Sequence, residues 1–240
     1  MGLHINVMRI VQGNTYIMYR LKQLFLIINL CLFSLAASAE TIVSGLIQNR
    51  LDALSAVLKN RLSLIKQIDK EDLPTPFDYL LTQPLLTVGI ETFYKRTSAI
   101  RVVHAERNIK DNVYTRVITM ILDQNSKRNN PAIAERLNEQ VIVELALISI
   151  YFNELPADFI HDILTSDIPF GRLLKSKKIE TNSKNQYYFS TVCNTALLSF
   201  LKCQLNSPIY GRINTIVRTD NNRSIAQVIE LLPVLNIVNN

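Results

Sequence analysis

Three charged side chains interrupt apolar runs in this sequence, and they are the residues best placed to do chemistry. Arg116 stands in Val113-Tyr114-Thr115-Arg116-Val117-Ile118, Glu144 in Val141-Ile142-Val143-Glu144-Leu145-Ala146, and Glu230 in Val228-Ile229-Glu230-Leu231-Leu232-Pro233. Side chains along a strand alternate between its two faces, so each charge can simply point to water. An inward charge is a different matter. Burying an ion without a partner costs several kcal/mol or shifts its pKa. An inward arginine and glutamate would therefore imply each other or a ligand, and periodicity alone leaves that choice open.

Other chemistries find little support. The six glycines are scattered and form no phosphate-cradling loop. No Gly-x-Ser-x-Gly elbow is present, and no residues show metal-ligand spacing, so neither a metal nor a cofactor is expected. The histidines are His4, His104 and His161. His161 is expected on a helix surface. His104 lies beside Arg101 and Glu106 in a strand candidate, where a structural or exposed role competes with a site role.

The elements that must position these residues read as follows. Residues 41–70 carry an apolar stripe (Ile42, Leu46, Leu51, Leu54, Leu58, Leu62, Ile65) that predicts one amphipathic helix. Pro74 and Pro76 end it. Residues 77–96 read as helix with a kink at Pro84. Ile100–Ala105, Tyr114–Leu122 and Val141–Phe152 read as strands, the last with a buried helix as its rival. Gln124–Arg136 reads as a surface loop and Glu180–Gln186 as a polar turn. Ala157–Leu164 reads as a short helix, Pro169–Leu174 as the start of another segment, and Tyr187–Val192 as a short strand. Thr195–Lys202 fits helix or strand. Tyr210–Arg218 and Ser224–Leu232 flank Thr219-Asp220-Asn221-Asn222 and predict a β-hairpin.

The amino terminus reads as a leader. Arg20 and Lys22 precede the apolar run Leu24–Leu35, and Ala37-Ser38-Ala39 forms a small-x-small cleavage site. Residues 1–39 are thus expected to be a signal peptide, with 1–17 as an upstream start extension. The formal charge is +6, but three basic residues and no acidic ones lie in residues 1–39, so half of that excess belongs to the leader. The remainder is weak support for a nucleic-acid or membrane-surface partner. Beyond the leader, Cys193 and Cys203 are either bridged or two buried thiols.

Several segments, taken in order, resemble the chorismate lyase family. They are Leu80–Thr87, the strand of Arg116, Ile168-Pro169-Phe170-Gly171-Arg172-Leu173-Leu174, Tyr210-Gly211-Arg212, and Val228–Pro233 with its Glu230. The resemblance implies an α+β fold: a chorismate lyase-like antiparallel sheet of about six strands, with helices on one side enclosing a ligand cavity. It implies elimination of pyruvate from chorismate or a related enolpyruvyl acid to leave a hydroxybenzoate, without a cofactor. Arg116 would hold a substrate carboxylate through its two-pronged guanidinium. Glu230 would serve as acid or base. Arg212, Gly171 and His104 are further substrate-binding candidates. The family's acidic-Ser turn is replaced here by Gln83-Pro84-Leu85.

The resulting expectation has three domains or segments: residues 1–39 as signal peptide, 40–72 as an amino-terminal amphipathic helix, and 73–240 as the lyase-like domain. The whole is expected to be a periplasmic or secreted lyase-like protein whose catalysis stays an open question. The alternatives are an exported non-catalytic binder of an aromatic carboxylate and a secreted interaction protein. Expected partners are a small aromatic or enolpyruvyl carboxylate, with no nucleic acid, no stable membrane anchor after cleavage, and a monomeric or weakly dimeric state.

Overall fold

The computed structural model describes residues 41–235. The chain divides into two compact units, Met1–Gly45 and Leu46–Asn240. Of the first, residues 41–45 are described and are helical. The expected signal peptide and its start extension lie outside the described residues. Among the described residues no helix is long and apolar enough to cross a membrane.

The second unit opens with helix α1, residues 46–58, whose Ile47, Leu51, Leu54 and Leu58 are buried. The stripe predicted helix as far as residue 70, but the helix stops at Leu58, and Lys59 takes a left-handed conformation. Side chains of α1 secure the reversal. The Leu62 amide donates to Ser55 Oγ (2.8 Å) and the Leu64 amide to Gln48 Oε1 (3.0 Å). The apolar spacing therefore continues past the helix because Leu62 still returns to the core, 1% exposed, while Ile65 does not, at 59%.

The freed segment supplies strand β1 (Lys66–Ile68), which pairs with β5 (Thr181–Val192). The remaining strands are β2 (Ser98–Asn108), β3 (Val113–Asp123), β4 (Gln140–Tyr151), β6 (Pro208–Arg218) and β7 (Ser224–Pro233). They form one antiparallel sheet in the order β1-β5-β6-β7-β4-β3-β2. The fold is α+β, as expected, with seven strands rather than six. The additional strand is β1, hidden in what read as a helix.

Three further readings change. Residues 77–96 form two helices, α2 (Phe77–Leu80) and α3 (Leu86–Tyr94), separated by a turn at Pro84, which has no amide to continue the ladder. The polar stretch at 124–136 contains helix α4 (Pro131–Arg136). Its start obeys helix-entry rules: the Asn130 side chain accepts from the Ile133 amide and Pro131 takes the first position. The expected polar turn at 180–186 is the first half of β5, paired with β6 from Thr181 on. It reads as polar because β1 reaches only residues 188–190, which leaves this half on an open edge.

Helices cover both faces of the sheet, not one. Strands β3 and β4 run buried at consecutive positions, which a sheet wet on one side cannot show. On one face, α2 and α3 pack with Ile118, Met120, Ala146 and Leu232, forming one apolar cluster. On the same face, α5 (Ala157–Thr165) and α6 (Phe170–Ser176) pack with Ile148, Ile150, Ile216 and Val228, forming a second. On the opposite face, α7 (Thr195–Leu201) lies over β4 and borders Thr119 and Ile142. The disulfide Cys193–Cys203 closes the chain around α7 and settles the state of the two cysteines.

Gly211 marks a point where the sheet tolerates no side chain. A methyl group there would stand 2.5 Å from Phe189 Cζ and 2.6 Å from the Glu230 carbonyl oxygen. Gly211→Ala is expected to cost about 1–3 kcal/mol by overpacking, read from urea denaturation. An unchanged midpoint would refute this account of Gly211.

Candidate ligand-binding site

One row of side chains crosses the face that carries the two apolar clusters. Ile118 of β3 faces Ala146 of β4, Ala146 faces Glu230 of β7, and Glu230 faces Arg212 of β6. Arg116 lies two residues from Ile118, opposite Ile148. Glu144 lies two residues from Ala146, opposite Met120. The period of two puts all of them on the same face, with Arg116 and Glu144 towards opposite ends. Ala146, the smallest side chain of the group, occupies the middle. A hollow forms above it, in the seam between the clusters.

The hollow is a cavity lined by Arg116, Glu144, Arg212 and Glu230, with apolar walls from Ile100, Ile118, Met120, Ile148, Ile216 and Val228. Its roof is the turn Pro84–Thr87, leading into α3, and Pro169–Gly171, leading into α6. Gly171 lets these meet: a Cβ there would lie 3.2 Å from Thr87 Oγ1. The cavity gives about 50 Å³ to the centres of water-sized molecules. A single water needs roughly 10–15 Å³ on that measure.

The four charges have unequal partners. Arg212 and Glu230 form a buried ion pair through Nε and Oε2, with Nη2 also 3.5 Å from Oε1. Arg212 Nη1 donates to the carbonyls of Leu81 (2.7 Å) and Gln83 (2.5 Å). Arg116 is 1% exposed and has no carboxylate partner. Its Nη1 reaches the Ile163 carbonyl at a long 3.4 Å, and its Nε has no partner. Burial lowers its pKa, partly countered by Tyr114, yet a guanidinium stays charged at neutral pH. Glu144 is 3% exposed and its Oε2 has no partner. Burial pushes its carboxyl well above the usual range. The nearby Glu230 adds to the rise and Arg212 opposes it.

Of the residues proposed from sequence, Arg116, Glu230, Arg212 and Gly171 thus meet at one cavity. His104 does not line it. It sits half-exposed on edge strand β2, 4.0 Å from Glu106. Arg212 and Glu230 are engaged with each other, so the expected division of labour, with Glu230 at hand for a substrate, does not describe this arrangement. Glu144 was noted as a charge inside an apolar run, with its direction left open, and carried no site assignment. Its signal is an ionisable group inside an otherwise apolar run. Among the described residues no group of histidine, cysteine and acidic side chains could hold a metal ion.

No family model and no curated protein matches the chain. Solved structures with a similar fold include a GntR-family transcriptional regulator and the ligand-binding domain of another. The ligand-binding domain of a GntR-family transcriptional regulator from Bordetella bronchiseptica matches at 9% identity, covering 58% of this chain and 87% of that one, with a TM-score of 0.39. The effector domain of PhnF from Mycobacterium smegmatis matches at 10% identity over 61% and 86%, with a TM-score of 0.42. A GntR-family regulator from Bacillus cereus matches at 8% identity over 56% and 90%, with a TM-score of 0.37. The likeness is one of fold alone.

These findings correct the functional expectations. Two of these matches are a GntR-family transcriptional regulator and the ligand-binding domain of another. The exported chorismate lyase-like activity, the exported alternatives and the periplasmic or secreted location are therefore withdrawn. So is the exclusion of nucleic acid as a partner.

The state of Glu144 has a measurable consequence. Its folded pKa lies above that of the unfolded chain, so its contribution is fully present at low pH and is lost as pH rises through the folded pKa. Glu144→Gln is expected to match the wild type in acid and to be the more stable protein at alkaline pH. Urea denaturation across that range tests it, and parallel stability curves for the two proteins would contradict the assignment.

Proposed function

We propose that this chain is a binding module for a small oxoanion, a carboxylate in the first instance, anchored by Arg116 in the cavity between the two apolar clusters. The observation that carries this reading is the buried guanidinium of Arg116 without a carboxylate partner. A protein gains no stability from such a group. Replacing buried charge by packed apolar side chains is often neutral or stabilising by about 1–4 kcal/mol. A ligand oxoanion would satisfy the fork through two parallel N–H···O bonds.

The surroundings favour the same ligand class. Arg212 is neutralised by Glu230, so the unbalanced positive charge in the cavity is that of Arg116. The roof includes Leu86 and Thr87, in the first turn of α3, where free amides add positive potential. The apolar walls suit a short carbon skeleton behind the anionic head.

Removing the charge tests both halves of the argument. Arg116→Met is expected to be at least as stable as the wild type without ligand. It is also expected to lose binding of acetate, pentanoate, benzoate or inorganic phosphate, whichever the wild type takes, by at least about tenfold. Thermal unfolding with each anion and calorimetry supply the readouts. Equal anion affinity in the two proteins would refute the role given to Arg116.

A further inference from the structure

Arg116 accounts for one end of the cavity. Glu144 occupies the other, and its Oε2 has no hydrogen-bond partner. The two side chains project from the same face of neighbouring strands. Arg116 is opposite Ile148, four residues along β4 from Glu144. That spacing corresponds to roughly 13 Å of strand, bridged on the cavity floor by Ile118 and Ala146. A ligand that reaches from Arg116 across this floor arrives at the unpartnered Glu144 Oε2. We propose that Glu144 reads the far end of the ligand by donating a hydrogen bond, so that the site selects small carboxylates carrying a neutral acceptor oxygen, such as a ketone, at that end.

This rests on the binding reading above, with Arg116 as the anchor. The charges around Glu144 decide its form. From β7 comes Glu230, from β6 Arg212, and from β3 Arg116. Arg212 is committed to Glu230 and to the Leu81 and Gln83 carbonyls. Tyr188 of β5 lies near Arg212, with a phenol that burial pushes further up, so it adds no charge near neutrality. The lining residues from β2, α3 and α6 (Ile100, Leu86, Thr87, Phe170, Gly171) do not titrate. Farther along those helices, Glu91 and Arg172 pair with each other. Full burial, and then the like-charged carboxylate of Glu230, raise the pKa of Glu144 and favour its protonated form, in which it is a donor. Glu230 cannot substitute for it, because its oxygens face Arg212.

Ionisation of Glu144 would remove the donor and place a negative charge beside an acceptor oxygen. The preference for a distal acceptor is therefore expected to fade as pH rises, while the anchor at Arg116 persists. The ligand class and its pH dependence follow from one proton.

A matched pair of probes tests this: pentanoate, and 4-oxopentanoate, which differs by one carbonyl oxygen. Calorimetry on the full chain is run from mildly acidic to mildly alkaline pH. The wild type is expected to favour 4-oxopentanoate by about tenfold in acid and to lose that preference in alkali. Glu144→Gln, which keeps a neutral donor, is expected to retain the preference throughout. Glu144→Leu is expected to lose it at every pH while still binding pentanoate. Equal affinity for the two probes at all pH, or a Glu144→Gln variant that titrates like the wild type, would overturn the role of Glu144 and leave Arg116 in place. No binding of either probe by the folded wild type would overturn the binding reading and this proposal with it.

Discussion

The guanidinium of Arg212 is the interaction on which the site depends. It lies in the middle of β6, pairs with Glu230 across to β7, and donates to two carbonyls of the turn at residues 81–83. That turn leads directly to Pro84–Thr87, the roof of the cavity. One planar group with five donors therefore ties the sheet to the segment that closes over it, a task to which a lysine's point charge is poorly suited. Gly211, one residue away, lets β6 lie close against the Glu230 carbonyl and Phe189. The ion pair is costly to desolvate, but the further bonds that Arg212 donates to the Leu81 and Gln83 carbonyls offset part of that cost.

With Arg212 and Glu230 consumed in this way, the remaining charges stand out. Arg116 and Glu144 are as deeply buried, yet each keeps an atom without a partner. Most buried polar atoms in folded proteins are satisfied. Two exceptions facing one small cavity are hard to reconcile with a structure selected for stability alone. They are readily reconciled with a site that holds unsatisfied groups for something that arrives. The two apolar clusters explain how the fold carries this strain. Each packs its own helices against its own half of the sheet, so the seam between them can stay polar without breaking either.

Much of this was legible in the sequence, and for identifiable reasons. Charges within apolar runs marked Arg116, Glu144 and Glu230, because burial makes a lone charge conspicuous. The β6–β7 hairpin and the long strands β3 and β4 followed from turn chemistry and continuous apolarity. What failed were readings that needed tertiary contacts. The end of α1 is set by side chains of α1 that hydrogen-bond to the chain beyond it, and the stripe alone does not show this. The polar half of β5 looks like a turn because its outer edge is open. The mutual commitment of Arg212 and Glu230 depends on cross-strand register, which a single segment does not reveal. The functional inference went furthest astray. Matching segments identify where a cavity lies more securely than they identify what happens in it.

The two faces of the sheet divide the work. The face under α7 buries Val117, Leu145, Leu147, Ile229 and Leu231 and is held by the Cys193–Cys203 link at the ends of that helix. Side chains on that face share backbone with those that line the cavity. Val117 is adjacent to Arg116, Leu145 lies between Glu144 and Ala146, and Ile229 and Leu231 flank Glu230. The strands are therefore fixed from behind by close packing, which resists small displacements. Rigidity on one face is what allows unsatisfied groups on the other to hold their positions, since a pliable sheet would relax until Arg116 and Glu144 found partners within the protein. The binding site, on this argument, is a property of both faces, although only one of them would touch the ligand.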